Sequence, residues 1–426
     1  MKNLTQKFSQ LGDAGLLLVA NLIVNIGNYG LNIVLGRWLG PEGFADANLL
    51  ATLVMLLSFI AMGLQLVIAK YSAEYKALKE DQKLFGLLSV AKRSILKYSL
   101  ILTVILIICA PLLKSFFNFN APWSFIILTV GIPSYFLMSA SRGYFQGTSA
   151  FRKLAGTYLI EMLVRLFFTV SFLLIVGKET YSAEIIAIGF LLSFLFTHYY
   201  SRLKTELSPE FDTKVIKQML RFFAVIGVYE LSQILINNSD VILVKHFFNN
   251  ADAGLYSSLA LLGRAVFFAT WIVVTMLFPK VIEKEKTGQP HQHLFWNALS
   301  IVGFIGLSIV GACYLLDDFI INIAFGESYQ SIAHLLWMYA LSTSLFAAAN
   351  VVVYYNMSLE NYTPVWISVA AGIIQIITIS LFHESLTMII QVQMILMSSL
   401  LGIMLIYQKT KGSFQGITQV KILNNN

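Results

Sequence analysis

Charge is what this chain has least of. Asp, Glu, Lys and Arg make up 12% of its 426 residues, and 57% are hydrophobic. A soluble protein of this size carries about 25% charged residues, so the composition argues against a large soluble core and for a membrane protein. The net charge of +7 is no footprint for nucleic acid, because positive charge in a polytopic protein collects in cytoplasmic loops. Cysteine is nearly absent. Cys109 and Cys313 both sit in apolar runs, as small hydrophobes rather than a disulfide or a metal site. The six histidines show no ligand spacing; His291 and His293 merely flank Gln292 in a polar loop. No metal or cofactor is expected. No phosphate-binding GxxxxGK[ST] loop occurs, nor any Ser–His–Asp or Cys–His arrangement. The expectation is a non-enzymatic protein that draws on a proton or sodium gradient or runs downhill. No cleavable leader is visible either: the polar MKNLTQKFSQLGDAG leads straight into a run long enough to span.

What the chain does have is long apolar runs. A helix needs about 20 apolar residues to cross a bilayer. Twelve segments qualify: 14–36, 44–69, 94–113, 122–145, 154–177, 183–200, 222–247, 253–279, 295–316, 332–354, 362–382 and 387–407. The first, second, seventh and eighth are the least apolar. Pro133, in GIPSYF, should kink the fourth. Lys and Arg crowd into alternate loops, at 70–97, 142–153 and 202–221, whereas the intervening loops hold only Arg37, Lys114, Lys178 and Lys245. That bias places both termini in the cytoplasm. The 70–97 and 201–221 segments mix apolar and charged residues at helical spacing, as amphipathic surface helices do.

GRWLGPEGFADANLL, residues 36–50, interrupts two apolar runs with Gly, Pro and charge. The layout returns past the midpoint in VKHFFNNADAGLYSSLALLGR, residues 244–264. A shift of 209 residues puts Asn28 on Asn237, Ile33 on Ile242, Gly40 on Asn249, Ala45 on Gly254 and Leu50 on Leu259. An even six spans per unit makes the halves parallel repeats about an axis along the membrane normal. The expected fold is therefore all-α: about twelve transmembrane helices in two six-helix bundles, residues 1–210 and 211–426, around a central cavity.

GRWLGPEGFADANLLATLVMLLSFIAMGLQLVIAKY resembles the N-terminal signature of the polysaccharide biosynthesis branch of the multidrug/oligosaccharidyl-lipid/polysaccharide exporter superfamily, the O-antigen flippases and their relatives. The usual pattern is Arg, Leu-Gly, Pro-Glu, an aromatic, then Gly. Here it reads Arg37, Leu39-Gly40, Pro41-Glu42 and Phe44, with Ala45 in place of Gly and Ala47 where an aromatic is frequent. Ala253–Tyr256 supplies the AGLY form in the second half. RGYFQGTSAFRKLAGTYLIEMLVRL (142–166) and FGESYQSIAHLLWMYAL (325–341) resemble further family segments. The resemblance implies alternating access and transfer of an undecaprenyl-pyrophosphate-linked oligosaccharide from the cytoplasmic to the periplasmic leaflet. It also implies contact with membrane lipids, and a polysaccharide polymerase and chain-length regulator as partners; nucleic acid is not a partner.

Polar residues inside lipid-embedded helices are costly unless they face a cavity or a partner. Arg264, about ten residues into the eighth span, is the foremost candidate for holding an anion; its alternative is a structural bond to Asp240 or Glu230. Asp240, with Asn237 and Asn238 beside it, is a candidate for carrying a coupling proton or cation, or else for bonding between helices. Glu161 and Arg165 have the i, i+4 spacing of an intrahelical pair and otherwise face the lumen. Glu230, Asn28, Asn237, Asp46, Asn48, Arg37 and Lys245 complete the cavity set. Arg37 and Lys245 end their helices, where snorkelling to headgroups is the ordinary role. Arg142 and Lys70 read as cytoplasmic anchors. Two rival functions are a cation-coupled multidrug exporter, which the intramembrane arginines disfavour, and an O-antigen polymerase or ligase. The second rival is disfavoured by the short outer loops; that at 317–331 carries no Lys or Arg.

Overall fold

A computed structural model describes residues 13–119, 122–177, 181–203 and 213–423. The N-terminal tail and the middle of the 201–221 segment, for which a surface helix is expected, lie outside the described residues. The described chain is helical, with no β-strand among its elements. Lipid leaves no other option for a chain of repeated apolar runs, since each backbone N–H and C=O must find its partner within its own segment.

The helices are α1 (Asp13–Ala77), α2 (Asp81–Phe116), α3 (Pro122–Val130), α4 (Ile132–Gly147), α5 (Phe151–Val176), α6 (Ser182–Tyr200) and α7 (Thr213–Phe247). They continue as α8 (Asn250–Gly263), α9 (Ala265–Lys286), α10 (Gln292–Leu315), α11 (Asp317–Ala324), a 3₁₀ segment (Glu327–Leu335), α12 (Leu336–Ser358), α13 (Thr363–Leu381) and α14 (Leu386–Leu423). Ten helices among the described residues are long and apolar enough to cross a membrane. α1 holds the first two expected spans, broken at Gly40. There φ is 66° and ψ −178°, a conformation that favours glycine. Pro41 follows, where a new helix needs no N–H donor. The fourth expected span likewise breaks, at Gly131, with Pro133 in the first turn of α4. Large apolar side chains stand fully outward, Ile175 at 78%, Leu315 at 76% and Phe304 at 74% exposure. Only an apolar surrounding accommodates such a surface. This is a multi-pass membrane protein.

The chain forms two compact units. The first comprises Met1–Ile234 with Asn249–Gly254, and the second Leu235–Phe248 with Leu255–Asn426. The division falls inside α7 rather than in the 201–221 loop. In the first unit α1 packs on α4 and α5, and α5 on α6. In the second, α12 is the central helix, packed by α9, α10 and α14 and buried along nearly its whole length.

The 70–97 segment corrects an expectation. It forms no separate surface helix; α1 runs on to Ala77, turns tightly, and α2 starts at Asp81. Tyr71, Tyr75, Leu84 and Leu87 then share a buried cluster with Val67. The apolar side of that amphipathic pattern is satisfied by packing α1 on α2.

Close approach between α1 and α4 depends on two glycines four residues apart. A Cβ on Gly143 would overlap the Gln65 carbonyl oxygen, and one on Gly147 the Ala69 carbonyl oxygen. Small residues at this spacing let membrane helices touch backbone to backbone, where dispersion supplies the attraction that the hydrophobic effect cannot. Gly254 meets Pro41 in the same way. That contact accounts for glycine in the second copy of the repeat at the position Ala45 occupies in the first.

Candidate functional site

Among the described residues each unit has a cavity of mixed polar and apolar lining, and an arginine lines each. In the C-terminal unit the cavity is small, about 20 Å³, and is lined by Asn237, Arg264, Tyr339, Ser342, Gln375 and Gln393, among others. Arg264 sits at the one-residue break between α8 and α9. It donates to Asn238 Oδ1 (3.1 Å) and to Asp240 Oδ1 (3.4 Å). Asp240 is completely buried. Its other oxygen accepts from Tyr256 (3.0 Å) and from Tyr339 (2.7 Å). Tyr339 reaches it by lying against Gly263, where a side chain would collide with the ring. Gln375 donates to the Ile236 carbonyl and to Ser239, both at 3.0 Å, tying α13 to α7. This lattice of donors is what makes a buried carboxylate tolerable.

The N-terminal unit's cavity is larger, about 120 Å³, lined by Asn28, Asn32, Leu31, Met55, Arg165 and Thr169, among others. Arg165 donates to Asn28 Oδ1 and lies 4.8 Å from the Phe190 ring centroid. Asn32 donates in turn to the Asn28 carbonyl (2.9 Å).

The i, i+4 pair is not formed. Glu161 accepts instead from Arg142 (2.6 Å), which reaches over from α4. Arg142 also donates from Nε to Thr157 Oγ1 (3.0 Å) and from Nη2 to the Thr157 carbonyl (3.1 Å), and lies 4.2 Å from the Tyr158 ring centroid. It is 5% exposed, which corrects the reading of it as a cytoplasmic anchor. The reason is geometric. The turn at 148–150 folds α4 back on α5, so a cation late in one helix meets an acid midway along the next. Arg142→Lys is expected to lower stability by about 2 kcal/mol, because a lone ammonium cannot reproduce the planar fork. Thermal unfolding of the purified variant in detergent checks this; an unchanged midpoint would show that the pair is dispensable.

Other candidate residues stand apart from the cavity linings. Asp46 and Asn48 are buried, 6% and 7% exposed, on either side of the lining residue Ala47. Glu230 is half-buried and lines neither cavity. Arg37 is exposed. Lys245 is 1% exposed, so it does not snorkel. Tyr256, Tyr339, Gln393 and Thr169 were not singled out by sequence. A Gln in an apolar run is a usable signal; a Tyr in a chain with 19 of them is not.

The polysaccharide biosynthesis protein family matches residues 11–283. The chain belongs to that family. Stage V sporulation protein B of Bacillus subtilis (strain 168) is 26% identical over 154 residues, 35% of this chain and 30% of that protein, so the match spans under a third of the relative. Among solved structures, the fold is shared with an inward-facing multidrug resistance MATE family transporter of the MOP superfamily. That likeness has a TM-score of 0.73 at 16% identity, over 93% of this chain and 96% of that one. It is shared also with the lipid II flippase MurJ in an inward closed conformation, with a TM-score of 0.72 at 15% identity over 92% and 87%. The fold is thus one shared with a multidrug transporter and a lipid II flippase.

Proposed function

We propose that this protein is a flippase that moves an undecaprenyl-pyrophosphate-linked oligosaccharide, the repeat unit of an O-antigen, capsule or exopolysaccharide, from the cytoplasmic to the periplasmic leaflet by alternating access. One observation carries the reading: in a member of a polysaccharide biosynthesis family, polar and cationic side chains inside membrane-crossing helices line an interior cavity in each unit. Groups so costly to bury are retained where they meet a polar cargo. Asn28, Arg165, Asn237 and Arg264 are the contacts this reading favours, with Asp46, Asn48, Glu230, Asp240, Arg37 and Lys245 in support. The chain would sit in the cytoplasmic membrane with both termini inside. A proton or sodium gradient would drive it, and a polymerase and chain-length regulator would consume its product.

The test is deletion in the native host. Surface polysaccharide should disappear while lipid-linked oligosaccharide accumulates, inaccessible to a glycan label applied from outside, and plasmid-borne wild type should restore both. Unchanged surface polysaccharide would contradict the reading. The fold shared with a multidrug transporter motivates a second reading, export of cationic drugs. Raised drug sensitivity in the deletion strain, with normal polysaccharide, would select it.

A further inference from the structure

Where α6 ends beside α2, the N-terminal unit gathers three basic side chains and no acid. Lys92, three turns into α2, is half-buried and donates from Nζ to the Leu203 carbonyl oxygen at 2.8 Å. That bond brings α2 against the residues that follow α6. Arg202 is one of those residues and is exposed; His198 is in the last turn of α6 and is half-buried. The charge of Arg202 acts on Lys92, and the charges of Lys92 and Arg202 act on His198. Among the described residues no carboxylate acts on either. Lys83, earlier on α2, shows the ordinary arrangement: it pairs with Glu80 at 2.8 Å. The acceptor of Lys92 is instead a neutral carbonyl, which occupies one of three ammonium donors. His198 Nδ1 is buried and makes no hydrogen bond among the described residues. Like charges held this close repel one another, and an anion between them turns that repulsion into attraction.

We infer that this cluster binds an anionic phospholipid, whose phosphate sits among Lys92, His198 and Arg202 while its acyl chains lie along Leu96 and Leu195. The apolar runs expected to span the membrane begin at 94 and end at 200, which puts the three basic groups at the level of the headgroups. Leu96 follows Lys92 by four residues and Leu195 precedes His198 by three, so each shares the face of its basic neighbour one turn deeper in the membrane. Both leucines are exposed. A free phosphate uses only the cations; a lipid uses the cations and the apolar strip below them. Tyr199 and Tyr200 stand exposed alongside, as aromatic residues do at a membrane interface. Basic groups between helices at that level are the ordinary means of holding an anionic headgroup. None of these residues lines the cavity that contains Arg165, and the site is independent of what the protein carries.

The experiment uses the full chain purified in detergent, with bound lipid counted by native mass spectrometry and affinity read from thermal unfolding. The probes are dioleoylphosphatidylglycerol, dioleoylphosphatidylcholine and inorganic phosphate. Saturable, stabilising binding of the phosphatidylglycerol is expected. The phosphatidylcholine, with the same acyl chains and no net charge, and inorganic phosphate, with charge and no acyl chains, should both bind far more weakly. Arg202→Gln should weaken phosphatidylglycerol binding by about fivefold, the value of one basic side chain near an anionic headgroup. Lys92→Gln/Arg202→Gln should weaken it by about tenfold or more. Arg202 is exposed, so the single variant keeps the test decisive should loss of the Lys92 bond to Leu203 disturb folding. Lys83→Gln removes the same charge from α2 at a paired, exposed position and should leave binding as in wild type. Phosphatidylcholine or inorganic phosphate binding as tightly as phosphatidylglycerol would overturn the proposal. So would an Arg202→Gln variant that binds as wild type does, or a Lys83→Gln variant that loses as much.

Discussion

Replacing Asp240 by alanine is expected to lower stability by about 3–5 kcal/mol, the cost of breaking a buried ion pair from one side. The carboxylate is fully buried and satisfies three donors at once: Arg264, Tyr256 and Tyr339. Without it, a guanidinium that is 13% exposed is left leaning on the neutral acceptor Asn238 Oδ1. The Tyr339 hydroxyl loses its acceptor as well, at about 1–3 kcal/mol for a buried group left unmade, whereas Tyr256 keeps Gln393 Oε1 at 3.3 Å. Thermal unfolding of the purified protein measures the loss. The double variant Asp240→Leu/Arg264→Met makes the argument sharper. It installs the residues found at the equivalent positions of the other unit, Leu31 and Met55. Apolar replacement of a whole buried pair is frequently neutral, so the double variant should recover most of the loss, leaving the cost of the Tyr339 hydroxyl. A single variant within about 1 kcal/mol of wild type, or a double variant worse than both singles, would show that the pair does not hold this unit together.

Gly147→Val should abolish recovery of monodisperse protein. The collision is with the backbone carbonyl of Ala69, which has no rotamer by which to yield. α1 and α4 would have to separate along a seam that Gly143 also closes against Gln65. Nearby, Gln65 Nε2 donates to Gln146 (2.8 Å) and to the Tyr158 hydroxyl (3.0 Å), bonds that also depend on this approach. A loss beyond about 4 kcal/mol is the expected scale for overpacking that no side chain can relieve. Gly303→Val is the control, because a Cβ there meets nothing within 4 Å. Size-exclusion profiles of tagged variants compare the two directly. Equal yields would mean that the seam is looser than its geometry implies.

Much of the architecture was legible because the bilayer removes alternatives. A run of apolar residues must be a helix, and the Gly40–Pro41 pair must break one. Asn28 and Asn237, which the 209-residue shift aligns, each line a cavity in their own unit. What stayed hidden were partnerships between helices. The spacing of Glu161 and Arg165 advertises a pair within α5, and nothing in the sequence announces that Arg142 will arrive first. Tyr256 and Tyr339 look like any other aromatic of a membrane helix until Asp240 is seen between them. Lys245 reads as a helix-end cation, yet the fold buries it. Periodicity reports the face a residue occupies; it is silent on what the neighbouring helix brings to that face.

The central claim is that this chain moves a lipid-linked oligosaccharide across a bilayer. The most direct measurement is transbilayer movement in proteoliposomes holding the purified protein and a fluorescent undecaprenyl-pyrophosphate oligosaccharide, read by quenching from outside. Under an imposed proton or sodium gradient, quenching should pass well beyond the half that the outer leaflet contributes, at a rate that scales with protein and falls in Arg165→Met. Quenching that halts at that half under every gradient, with protein shown to be folded and inserted, would contradict the account.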